Sequence, residues 1–317
     1  MSRALSILLK KEIADHIHSW RFNILIALIA LTATASMVTV AQTIRDVLSK
    51  AANQPFGETF VFLQMLTASN GRLPSFLAFV SFLAPLLGIA MTFDAISSER
   101  QKGTLLRLLA QPLYRDDIIL AKWLSSLLVI TVFFLALGFF VIGLGMFIFG
   151  LPPSFEEVLR IVVFLLVTAL YVAVWMSLGV LFSLIFRQGA TSVLALLAMW
   201  LTLTLFYPMI VDVIAPVKQS GTSEEILQSI AWHQGLSRLS PATLYDEATT
   251  TLLTPSVRAL GPLSLEQLVG AIPAPLPFTE SLLLIWPQIV GLIAMSVILF
   301  GLSFTLFMRQ DIRSTRA

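Results

Sequence analysis

The sequence predicts an all-α polytopic membrane protein. It would have six transmembrane helices, an N-terminal interfacial helix, a short helix in one cytoplasmic connection, and short external helices between spans five and six. Three observations predict it. Of 317 residues, 57% are hydrophobic and only 12% are charged, where a soluble domain carries about 25% charged residues. Mean hydropathy is +0.89. Six runs nearly free of charge are each long enough for the roughly 20 apolar residues that carry a helix across the hydrocarbon core.

The elements follow in order, as one domain over 1–317. Residues 1–21 hold the interfacial helix: Leu5, Leu9, Ile13 and Ile17 recur on one face, with Lys11, Asp15 and His18 elsewhere. Such a helix lies along the membrane surface. His16 and His18, two residues apart, point to nearly opposite faces, so surface polarity is preferred over a metal pair. The first span is 22–44. Ala33-Thr34-Ala35 imitates a signal-peptide cleavage site, but Glu12 and Asp15 and the length of the preceding segment argue against cleavage. The 56–69 run is too short to span. The remaining spans are 74–95, 121–149, 158–186, 188–212 and 281–308. Spans four and five are separated by little more than Arg187, which makes a tight hairpin.

The 213–280 segment carries helix-start signals at Thr222-x-x-Glu225, Ser264-x-x-Gln267 and Ser240-Pro241. The Pro-rich stretch Ile272 to Pro277 then enforces an extended return. The segment reads as short helices packed at the outer surface, in part re-entrant, where an extracytoplasmic partner could bind.

Lys and Arg set the orientation. Arg3, Lys10, Lys11, Arg21, the five basic residues from Arg100 to Lys122, Arg187, Arg309, Arg313 and Arg316 fall on one side. They are most of the 20 basic residues, so that side and both termini are expected in the cytoplasm, with the chain in the inner (plasma) membrane.

Several chemistries are not signalled. No cysteine is present, which excludes disulfides, thiolate metal sites and cysteine nucleophiles. A net charge of +2 gives no case for nucleic acid. Neither G-x-x-x-x-G-K-[ST] nor His-Glu-x-x-His occurs, so no catalytic, cofactor or metal residues are nominated. The charge-free runs lack the intramembrane ionisable groups typical of ion-coupled carriers. Thr32, Ser36 and Thr39 form a polar stripe on the first span. It reads as helix packing in preference to a translocation path.

The 96–120 connection concentrates charge in a charge-poor chain. Leu105, Leu106, Leu108 and Leu109 interleave with Arg107 and follow Glu99, Arg100 and Lys102. That pattern suits a short helix, greasy on one side, which Pro112 ends. Arg115, Asp116 and Asp117 open the next helix, and Lys122 lies at its base. Basic anchoring at the headgroups accounts for Arg115 and Lys122 as well as coupling does. It does not account for Glu99, Gly103, Thr104 and Pro112.

The run Glu99-Arg-Gln-Lys-Gly103-Thr104-Leu, then Gln111-Pro112-Leu-Tyr-Arg115 and Lys122, resembles the cytoplasmic connection of ABC-2-type ABC transporter permeases. Lys11-Glu12, the six spans and the Arg187-Gln-Gly189 turn extend the likeness over the layout. The resemblance implies a permease subunit for ATP-driven export, working as a homo- or heterodimer. Two copies of a separate ABC-type ATPase would carry ATP and Mg and couple to the 96–112 helix, with Glu99, Arg100, Gly103 and Thr104 as contact residues, Pro112 ending the helix, and Arg115 and Lys122 fixing the base of span three. One branch of the family serves maturation of copper enzymes such as nitrous-oxide reductase. The alternatives are an ion-gradient-driven carrier and an assembly or force-transmitting factor without solute transport.

Overall fold

The computed structural model describes residues 3–50, 60–69, 74–104, 114–150, 152–218, 220–255 and 276–310, of which 3–4, 39–50 and 149 are described by their backbone alone. Among the described residues all regular structure is helical. In chain order the helices are α1 (Arg3–Ile17), α2 (Trp20–Lys50), α3 (Val61–Thr67), α4 (Phe76–Thr92), α5 (Ser97–Gln101), α6 (Arg115–Phe149) and α7 (Phe155–Ile185). They continue with α8 (Gly189–Leu201), a π-helical segment (Thr202–Phe206), α9 (Tyr207–Ile214), α10 (Ser223–Ser237), α11 (Pro241–Leu253) and α12 (Phe278–Arg309). Among the described residues six stretches are long and apolar enough to cross a membrane: Trp20–Val38, Phe76–Gln101, Arg115–Ile148, Phe155–Ile185, Gly189–Ile214 and Phe278–Arg309. They fall on the six charge-poor runs.

The most apolar stretch of α7 is 78% buried and that of α8–α9 only 11%, so α7 is the central post and α8–α9 an outer wall. A reciprocal box starts α7: Ser154 Oγ accepts from Glu157 N at 3.2 Å, and Glu157 Oε2 accepts from Ser154 N at 2.8 Å. Close packing against α4 needs glycine, because a Cβ at Gly179 would stand 2.0 Å from Thr92 Oγ1.

The α1–α2 start, α5, the α6 start, the α7–α8 turn and the α12 end gather at one end of the bundle, here the near end. The far end carries α3 and the segment after α9. Short α3 does not lie on the surface: Phe62, Leu63, Met65 and Leu66 are buried in the main core.

The segment after α9 turns back into the bundle. Tyr207 donates to Leu236 O at 2.7 Å and Ser240 Oγ to Leu203 O at 3.1 Å, so α10 descends alongside α9. Leu203 lies about 21 Å along α8 from the near end at 1.5 Å per residue. Helix α11 then climbs outward. Tyr245 stacks on Tyr171 at 4.4 Å between ring centroids, and Thr168 and Tyr245 share a 3.0 Å hydrogen bond. Tyr171 is about 24 Å along α7 from its far-end start, so the α10–α11 hairpin reaches mid-depth. The signals at Thr222 and Ser240-Pro241 mark its two helix starts; the one at Ser264 lies outside the described residues.

Depth changes the charge picture. Arg238 Nε donates to Glu247 at 2.9 and 3.3 Å, and Gln288 Nε2 from α12 donates to the same carboxylate at 2.8 Å. Ionisable groups thus reach mid-depth, carried there by the hairpin.

Candidate functional site

The near end is assembled from one ion network. Leu5, Leu8 and Leu9 of α1 bury against Ile118 and Ala121 of α6, which lays α1 across the base of α6. The buried face continues into Glu12 and partly exposed His16, while Ile17, expected on that face, is 51% exposed. Helix α1 therefore presents a carboxylate and an imidazole inward where the sequence pattern suggested isoleucine. His16 Nε2 and Ser126 Oγ lie 2.8 Å apart, and His18 Nδ1 contacts Ala14 O at 2.8 Å. The two rings thus have separate partners.

Lys122, at the base of α6, is only 8% exposed. Its Nζ lies 3.2 Å from Glu12 Oε2 and 2.8 Å from Glu99 Oε1. Lys11 adds 3.0 Å to Glu12 Oε1 and 3.2 Å to Asp15. Burial would raise the Glu12 pKa, but Lys122 and Lys11 outweigh it and hold the carboxyl below its ordinary value. Burial pushes His16 down, with Glu12 opposing and Lys122 assisting. Lys122 is therefore an internal tie among α1, α5 and α6, not a snorkelling anchor.

Helix α5 is fixed from behind. Ser183 Oγ of α7 accepts from Ile96 N at 2.8 Å and Ser97 N at 3.0 Å. Arg21 pairs with Asp94 at 2.7 Å and lies over the Phe93 ring at 4.9 Å. Thr104 Oγ1 reaches back to Glu99 O at 3.3 Å. Gly103 closes the turn with φ +67°, a left-handed conformation that favours glycine. Arg100 Nη2 donates to Gln310 Oε1, Arg115 Nη1 to Gln310 O at 3.3 Å, and Gln310 Nε2 to Leu184 O at 3.1 Å. Gln310, Ser183 and Glu12 thus complete a site that local pattern did not reveal.

Of the residues singled out in this connection, Glu99 and Lys122 meet directly, and Arg100 and Arg115 meet through Gln310. Within 97–104, Gln101, Lys102 and Gly103 are the exposed positions. Pro112 and the leucines at 105–109 lie outside the described residues. Between α1, α4 and α5 a cavity of about 590 Å³ opens, lined by Glu12, Asp94, Glu99, Lys102 and Lys122 among others. On the first span Thr32 Oγ1 bonds to Ile29 O at 2.9 Å and Ser36 is buried; the side chain of Thr39 is outside the described set.

At the far end Arg160 is fully buried. It donates to Leu252 O at 2.8 Å, Leu276 O at 2.6 Å and Ser281 Oγ at 3.1 Å, and pairs with Glu156 at 2.7 Å. It fastens the hairpin exit and the α12 start to α7.

A profile of the family described as ABC-2 family transporter protein matches residues 6–312. The probable ABC transporter permease protein NosY of Pseudomonas aeruginosa is 35% identical over 66 residues, 21% of this chain and 24% of that protein. That match covers only about a quarter of the relative.

Proposed function

The chain belongs to the ABC-2 family of transporter proteins and is the membrane subunit of an ABC transporter; on that premise we propose that its near end docks a separate ABC-type ATPase subunit. Two such chains, identical or different, pair in the inner membrane with both termini in the cytoplasm. Each takes one ATPase, which holds ATP and Mg²⁺, and the pair drives export.

The observation that supports this reading is the tie of Lys122 to Glu99 and Glu12. A force applied to the 97–104 segment passes through a buried ion pair to the base of α6 and to α1. Side chains clamped by charge in a poorly solvated site transmit displacement instead of absorbing it. In this mechanism Gln101, Lys102 and Gly103 touch the ATPase. Glu99, Arg100, Thr104, Arg115 and Lys122 position that surface from behind. Co-purification of an ABC-type ATPase with the full chain tests it. Lys102→Glu is expected to lower ATPase retention without changing the melting temperature; unchanged retention would count against docking there.

A carrier driven by an ion gradient draws support from one observation, the Arg238–Glu247–Gln288 cluster at mid-depth. It predicts solute flux in ATPase-free vesicles that collapses with the gradient. The family assignment favours the ATP-driven reading.

A further inference from the structure

We propose that a side pocket at the far end, between α4, the π-helical segment and α11, binds an amphiphilic organic amine, with Asp246 as its counter-charge. The pocket measures about 310 Å³ and is lined by Ser81, Phe82, Thr204, Asp246 and Thr250 among others. Four observations converge there.

Asp246 is the carboxylate of the pocket, and Ser81 Oγ donates to its Oδ1 at 2.9 Å. That bond orients the group and leaves its other oxygen open to a donor. Thr204 Oγ1 is buried and has no hydrogen-bond partner among the described residues. By contrast Thr202, two residues earlier, bonds back to Ala198 O at 2.8 Å, as helical threonines do. Thr204 lies in the π-helical turn Thr202–Phe206. Such turns are rare and recur at functional sites. Phe82 exposes 46% of its surface, and its ring is held edge-on to Trp200 at 4.8 Å between centroids.

A carboxylate, one free hydroxyl and an aromatic wall match an ammonium group on an apolar body. The amine donates to Asp246 and Thr204, and its cationic head is attracted by the ring. Asp246 is the single carboxylate lining the pocket, and no group of three His, Cys, Asp or Glu suited to a metal occurs among the described residues. The apolar helix faces around the pocket supply a lateral route from lipid. As the cargo of an ATP-driven pathway this ligand rests on the permease reading; as a bound ligand it does not.

The test uses the full chain alone in lipid nanodiscs, without ATPase, and dansylcadaverine as the fluorescent primary amine. Saturable binding is expected, weakened at least tenfold by Asp246→Asn and several-fold by Thr204→Val, and unchanged by Glu224→Gln on the exposed face of α10. A neutral dansyl amide of the same length is expected to bind at least tenfold more weakly. Asp246→Asn keeps the size of the side chain and the Ser81 contact, and an unchanged melting temperature shows that the fold is intact. Equal binding by wild type and Asp246→Asn, by the amine and the neutral amide, or no saturable binding at all, overturns the proposal. Binding that persists while no ATPase co-purifies would sink the docking reading and leave this one standing.

Discussion

Lys122 stands between two carboxylates brought from different helices, 2.8 Å from Glu99 of α5 and 3.2 Å from Glu12 of α1. Each partner is at most 13% exposed, so solvent screens the pair weakly. Breaking such a pair by removing one member leaves an uncompensated buried charge, at about 3–5 kcal/mol. Lys122→Gln is therefore expected to lower the melting temperature in nanodiscs markedly. Adding Glu99→Gln to it should recover part of the loss. Two additive losses in that double-mutant cycle would show that the residues do not interact.

The seating of α1 should depend on pH with a definite sign. His16 has a lowered pKa in the folded chain, so the unfolded chain takes up its proton first as pH falls through about 6.5. Glu12 also has a lowered pKa; its contribution is present above about 4.3 and is lost as pH falls through the lower folded value. Both effects weaken α1 docking on acidification, and neither weakens it on going from pH 7 to 8. The protection factors of α1 amides, that is exchange corrected for its base-catalysed intrinsic rate, should fall below pH 6.5, and His16→Gln should remove that first step. Protection factors that rise on acidification would contradict the assignment.

Arg160 donates to two backbone carbonyls, Leu252 O and Leu276 O. Arg160→Lys keeps the charge but loses the planar fork that serves several acceptors at once. Exchange across Pro241–Leu253 should rise at least tenfold while that of α1 stays unchanged. Uniform change at both ends would argue for global destabilisation and against a local fastener.

Gly179→Ala would drive a Cβ to 2.0 Å from Thr92 Oγ1 and 2.9 Å from Thr92 Cβ. Overpacking of this kind costs about 1–3 kcal/mol. Thermal unfolding should report that loss, and Thr92→Ala in the same chain should restore part of it by removing the nearest atom.

Much of this architecture could be read from sequence because the membrane dictates composition. A helix in hydrocarbon must be apolar for about 20 residues, so the six spans announce themselves. Thr222 and Ser240-Pro241 were equally legible, since capping is local chemistry. The re-entry of the hairpin was not. Tyr245, Thr249 and Thr251 are buried in α11, yet their polarity reads as surface until Thr168 and the backbone of the same helix supply partners. The near-end tie was hidden for a different reason: Glu12 and Lys122 are 110 residues apart, and nothing local to either names the other. Gln310 lies beyond the last span, where no periodicity singles it out.

The central claim is that the 97–104 segment meets an ATPase, and the cysteine-free sequence makes it directly testable. A single cysteine introduced as Lys102→Cys, at an exposed near-end position, should cross-link to an ABC-type ATPase in native membranes, with a yield that changes when ATP is added. Leu227→Cys, on the exposed face of α10, should capture none. An ATPase adduct at 227 and none at 102 would contradict the account.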